Sequence, residues 1–116
     1  MKIKIQKILL LSFLNFFIIV NANASEQFTF DVTEIEIVDD GNIIKGYKGG
    51  TATTEDGLEI IADNFIYDKI LNILNASGNV KVFDKINNYI IISEKITYVK
   101  NIEKIFTNGK TEAIIE

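Results

Sequence analysis

Slid along itself by 31 residues, the sequence lays Leu58, Ile60, Ala62, Asp63, Phe65 and Tyr67 over Tyr89, Ile91, Ser93, Glu94, Ile96 and Tyr98. The same shift carries Ala76, Gly78 and Val80 onto Thr107, Gly109 and Thr111. A shift of 32 in the other direction sets Phe28, Phe30, Asp31 and Ile35 against Ile60, Ala62, Asp63 and Tyr67, and Gly46 against Gly78. In that first copy Gly49 and Gly50 compete with Gly46 as the anchor. A unit of 31 to 32 residues thus recurs nearly three times. So short a unit has no core of its own, and successive copies must stack around a shared interior.

Each unit reads as strands. Phe28-Thr29-Phe30-Asp31, Glu34-Ile35-Glu36-Ile37, Leu58-Glu59-Ile60 and Lys95-Ile96-Thr97-Tyr98 alternate with period two, and no long window keeps a capped helical stripe. Ile70 to Leu74 is apolar but short and β-branched, which suits a hairpin connection or strand better than a helix. The alternation slips by one residue after Ala62-Asp63 and after Ser93-Glu94. Side chains change face at every residue, so such a slip needs a bend or bulge to keep the apolar set on one side. A second strand follows with a central glycine, Gly78 or Gly109, and interior strand glycines mark kinks or close backbone approach. Asp84-Lys85-Ile86-Asn87-Asn88 then forms the hairpin turn that opens the next unit. The expected fold is all-β, an antiparallel stack of bent strands, open at its ends.

The first two dozen residues read as an address. Lys2, Lys4 and Lys7 precede the apolar run Ile8–Val20, and Ala22-Asn23-Ala24 supplies small residues for cleavage after Ala24. That run is short for a membrane span, which favours cleavage over the alternative of an uncleaved N-terminal anchor. Residues 1–24 are therefore expected to be a signal peptide, and 25–116 one exported, periplasmic domain. Beyond Ala24 the chain keeps all 16 acidic residues and 9 of its 12 lysines, for a formal charge of −7. This excludes nucleic acid as a partner and argues against adsorption to anionic lipid by overall charge. There is no cysteine, so the domain holds together by core burial or by association.

Catalytic chemistry has little to work with. The chain has no His or Cys, and Ser25, Ser77 and Ser93 stand in no nucleophile-elbow setting. Asp39-Asp40 and Glu55-Asp56 are each followed by glycine, as in solvated turns. The spaced ligands of a calcium loop are missing, and Gly46 to Gly50 lacks the lysine and helix of a phosphate loop. No enzyme activity, metal or cofactor is expected.

What remains is the apolar face. Phe28, Phe30, Leu58, Ile60, Phe65, Tyr67, Val80, Val82, Tyr89, Ile91, Ile96 and Tyr98 should point one way. From the pattern alone they form either an ordinary closed core or an open apolar groove.

Two stretches carry a family resemblance: Ile60-Ile61-Ala62-Asp63-Asn64-Phe65-Ile66-Tyr67-Asp68 and Leu74-Asn75-Ala76-Ser77-Gly78-Asn79-Val80-Lys81-Val82. Ile92-Ser93-Glu94-Lys95-Ile96-Thr97-Tyr98 with Thr107-Asn108-Gly109 repeats their pattern. This chain resembles the OstA-like family across residues 25–116. That family comprises periplasmic bridge proteins of lipopolysaccharide transport and the N-terminal domain of the outer-membrane lipopolysaccharide-assembly protein. The resemblance implies a β-jellyroll whose apolar groove shields the acyl chains of lipid A. It also implies docking, by strand addition, to other jellyroll domains of the bridge or to an outer-membrane barrel. On that reading the twelve apolar residues are the candidate lipid-facing set. The chain departs from the family in stopping at Thr111–Glu116, in mid-strand, which reads as a piece of the outer-membrane protein or as a short bridge completed by partner strands. The rival expectation is a secreted β-repeat domain with a closed core that binds only protein.

Overall fold

The computed structural model describes residues 28–116, which form a single antiparallel sheet. The expected signal peptide, residues 1–24, lies outside the described residues. The strands are β1 (Thr29–Val38), β2 (Ile43–Thr53), β3 (Leu58–Ala62), β4 (Asn64–Asp68), β5 (Ile73–Asp84), β6 (Tyr89–Val99) and β7 (Lys104–Ile115). No α-helix occurs among the described residues. Asp63 alone separates β3 from β4, and the two share one lane between β2 and β5. Every lane pairs antiparallel with the next, from β1 at one edge to β7 at the other.

Short polar side chains make the turns. The Asp68 carboxylate accepts the amides of Ile70 and Leu71, both at 3.0 Å. Asp84 does the same for Ile86 and Asn87, at 3.1 and 2.9 Å. Thr54 accepts the Leu58 amide at 3.1 Å and donates to Asp56. Such local bonds let the backbone reverse without a second sheet partner. The Ile70-to-Leu74 stretch divides accordingly: Ile70 and Leu71 sit in the turn, while Ile73 and Leu74 begin β5.

A line of irregularities runs across all six lanes. Register shifts fall between Val32 and Glu34 of β1, between Ser77 and Val80 of β5, and between Ser93 and Lys95 of β6. In each pairing one residue faces two. Thr33 faces Lys48-Gly49, Asp63 faces Gly78-Asn79, and Glu94 faces Gly109-Lys110. Gly49 donates to the Asp63 carbonyl at 2.8 Å, and Asp63 donates to the Gly78 carbonyl at 2.9 Å, which ties neighbouring bulges together. Lys48, Gly49, Gly78, Asn79 and Gly109 all have positive φ. At Gly78 the requirement is double, because a Cβ there would also stand 2.5 Å from the Asp63 carboxylate. In β2 the bulge falls at Lys48-Gly49 and not at Gly46. Gly46 lies on the inward face, where a Cβ would come within 3.0 Å of Val32 and 3.5 Å of the Phe65 ring.

This line is a crease, and the sheet folds along it. Phe28 at one end of the inward face packs against Tyr67 and Tyr98 at the other, with ring centroids 5.1 and 5.8 Å apart. Phe30 meets Phe65 and Tyr67 in the same way, at 6.1 and 5.9 Å. The slip of one residue at Asp63 and at Glu94 keeps the apolar side chains of both halves inside the fold. One core results, with Ala52, Ile60, Leu74, Val80 and Val82 wholly buried.

Candidate functional site

The inward face can be read row by row, because directly paired residues share a face. On one side of the crease a row runs Phe30, Ala52, Ile60, Val82, Ile91, Ala113. On the other side run Ile35, Gly46, Phe65, Ala76, Ile96, Thr107 and, beyond it, Ile37, Ile44, Tyr67, Leu74, Tyr98, Ile105. All twelve residues singled out from the alternation lie on this inward face. Phe28, Leu58, Ile60, Phe65, Tyr67, Val80, Val82, Ile96 and Tyr98 are buried, while Phe30, Tyr89 and Ile91 are half-buried.

The rows also hold residues that alternation did not single out. Leu74 and Ala76 are buried in the middle lanes, and Ile44 and Ile105 pack against the core. Leu74 was hidden by its place at the end of a turn-like apolar run. Ile35 and Ile37 face inward yet stand 52% and 60% exposed on β1. At the other edge Ala113 and Ile115 are exposed, the latter at 81%. The Glu34-Ile35-Glu36-Ile37 alternation could have revealed the first pair. The face is therefore closed in the middle and uncovered at both ends.

Where the two halves of the sheet meet opposite the crease, the mouth of the fold is polar. Asp56, Asp84, Asn87, Tyr89, Tyr98 and Glu103 line a small cleft there, together with Leu58 and Ile105. Burial and the nearby carboxylates of Asp56 and Glu103 push the Tyr98 phenol up to about 12. Burial and a hydrogen bond to Asp84 likewise raise Tyr89. Burial alone would raise the Asp84 carboxyl, but bonds from Asn87, Tyr89 and Ile86 outweigh it and hold the group below its ordinary value. Tyr67 is raised chiefly by burial, and its hydroxyl donates to Asn72 at 2.6 Å.

At this mouth Asn87 and Tyr89 both hydrogen-bond to Asp84. Among the described residues no group of three or more His, Cys, Asp or Glu side chains is disposed to hold a metal ion. No buried side-chain polar atom among them lacks a partner. The acidic pairs Asp39-Asp40 and Glu55-Asp56 sit in the turns after β1 and β2.

No family model and no curated protein matches this chain. The leading feature of the site is an apolar face that the described residues cover only in the middle.

Proposed function

We propose that this domain is a periplasmic module of lipopolysaccharide transport or assembly, of the bent-strand jellyroll type that its sequence resembles. It docks edge to edge with related domains and shields acyl chains along a shared apolar interior. One observation carries the reading: inward-facing Ile35 and Ile37 on β1, and Ala113 and Ile115 on β7, are exposed at the two sheet edges, which no strand among the described residues pairs. Unpaired strands are templates for strand addition, and apolar side chains beside them are what a docked neighbour would cover. The reading needs no catalytic group.

The strand geometry supports docking between like domains. β1 and β7 run in opposite directions, so a second copy's β1 added to β7 continues the antiparallel alternation. Lanes with one residue at the crease alternate with lanes that have two, and Thr33 of β1 continues the sequence after Gly109-Lys110 of β7. With β5 and β6 as the template, Ile105 would pair with Ile37, Thr107 with Ile35, and Ala113 with Phe30 of the second copy. The repeat reading fits as well, since β5 begins at Ile73 and β7 at Lys104, 31 residues later.

Lipid is expected at the edges more than in the middle. Phe65 and Ile96 are 1% and 2% exposed, whereas Ile37 is 60% exposed. Each methylene of an acyl chain moved from water to such a surface contributes about 0.8 kcal/mol. A photoreactive side chain at Ile37 or Ile115 should label lipopolysaccharide, and one at the outward-facing Glu59 should not. Equal labelling at all three positions would sink the shielding role.

A second reading has its own support. Ile60, Val80 and Val82 are wholly buried, so the middle of the fold is already a packed core. A secreted domain that binds protein through its edges would need no more. Purification without lipid, together with retained edge docking, would favour this rival.

A further inference from the structure

The shift of 31 that lays Gly78 on Gly109 lays Ser77 on Asn108, and this difference between the copies is a chemical one. Asn108 is the one asparagine in the sequence that is followed by glycine. An asparagine side chain ends in an electrophilic carbonyl carbon within reach of the next residue's backbone nitrogen. A side chain on that next residue crowds the approach, and glycine has none. Ser77 offers no such carbon to Gly78.

The fold leaves this dipeptide open to reaction. β7 pairs with β6 on one side and with no described strand on the other, and residues 106–110 are all exposed. Ser77 and Gly78, by contrast, are half-buried in β5 between two lanes. Asn108 and Gly109 stand where the crease breaks the β6–β7 ladder, at the register shift between Ser93 and Lys95. Gly109 has a φ of +93°, and a Cβ added there meets nothing nearer than Glu94 at 3.5 Å. At Gly78 the Asp63 carboxylate stands at 2.5 Å. The Gly109 nitrogen therefore lies at an uncrowded bulge on an edge strand, where local opening breaks few ladder bonds.

We infer that Asn108-Gly109 is a self-modifying site through which the β7 edge changes with age. The Gly109 nitrogen attacks the Asn108 side-chain carbonyl carbon and forms a C–N bond. The amide nitrogen of Asn108 leaves as ammonia, carrying the proton that Gly109 gives up. The five-membered succinimide so formed takes up one water. Opening at one carbonyl gives aspartate, and opening at the other gives isoaspartate, in which the main chain runs through the former side chain. Water is the only co-reactant.

Both products act on the edge. Each puts a carboxylate on the outward face, in the row of Ser77 and Lys95. Isoaspartate also adds one carbon to the main chain at the bulge, which loosens the flanking pairs of Asn108 with Lys95 and Thr111 with Ser93. In the docked arrangement Asn108 would meet Glu34 of the second copy, where a new carboxylate opposes pairing. That last consequence rests on the proposed function, whereas the modification and the loosening of β7 do not.

The test holds the full chain in mildly alkaline buffer and samples it over time. Cleavage after lysine releases the peptide 105–110, whose one asparagine is Asn108. It should gain the mass of an amide-to-acid change and split into two chromatographic forms. One form should accept a methyl group from S-adenosylmethionine and isoaspartyl methyltransferase. Peptides 70–81 and 101–104, which carry Asn72, Asn75, Asn79 and Asn101, should stay unchanged over the same interval. Hydrogen exchange of β7 amides should quicken with age, and Asn108→Gln should abolish both changes. An unmodified 105–110 peptide, or conversion no faster than in the other two, would overturn the site. Exchange that stays constant while 105–110 converts would overturn its effect on the edge. Disulfide ladders from the Ile37→Cys, Ile105→Cys chain separate this from docking. No ladder from fresh protein speaks against docking alone, while equal ladders from fresh and fully converted protein contradict the effect of the new carboxylate.

Discussion

Tyr98 shows how one residue joins the two halves of the fold. It lies in the row of Ile37, Leu74 and Ile105, its ring meets Phe28 across the interior, and its hydroxyl lines the mouth beside carboxylates. Burial and Asp56 and Glu103 favour the neutral phenol, so ionisation is held off from 10.0 to about 12. A raised folded-state value means that the stabilisation is complete below pH 10.0 and is lost as pH climbs towards 12. Denaturation midpoints should therefore fall through that window, and Tyr98→Phe should flatten part of the fall. An unchanged slope in the variant would show that Tyr98 is not a source of it. Tyr98 was legible in the sequence as a core residue, through its alternation with Ile96. Its polar role was not, because Asp56 and Glu103 approach it only once the sheet folds over.

The crease is an element-scale feature. The slips after Ala62-Asp63 and Ser93-Glu94 pointed to it, and both are sites of register shift. Its position in β2 was less legible. Lys48 adopts φ 62° there beside Gly49, and a lysine gives no sign that its backbone is left-handed. Exposure of Ile35 and Ile37 was hidden for a different reason, since alternation reports which face a side chain takes and not whether a neighbour covers it. Gly78 tests the crease directly. Gly78→Ala adds a methyl against Asp63 at a φ of +83°, whereas Gly57→Ala meets a similar φ with open space around it. The Gly57 variant should lose about 1 kcal/mol and the Gly78 variant about 2–3 kcal/mol in chemical denaturation. Equal losses would mean that contact with Asp63 does not constrain the bend.

At the scale of the whole molecule, a meander of bent lanes leaves two long edges and an interior open towards both. Charge patterning and the missing nucleophiles narrowed the function from sequence alone. The closed middle came only from the fold, because side-chain packing across a crease joins residues whose separation in the chain follows no period. What the fold adds is a packed middle and two uncovered edges, and on the proposed reading those edges serve association. The most direct test traps that association in register. Ile105→Cys and Ile37→Cys in one chain place thiols where a second copy's β1 would meet β7, while Ile105→Cys with Val32→Cys places them on the same face but across the crease. Mild oxidation of the first variant should give a ladder of disulfide-linked copies, and the second should stay monomeric. A first variant that stays monomeric, or ladders of equal strength from both, would contradict edge-to-edge docking.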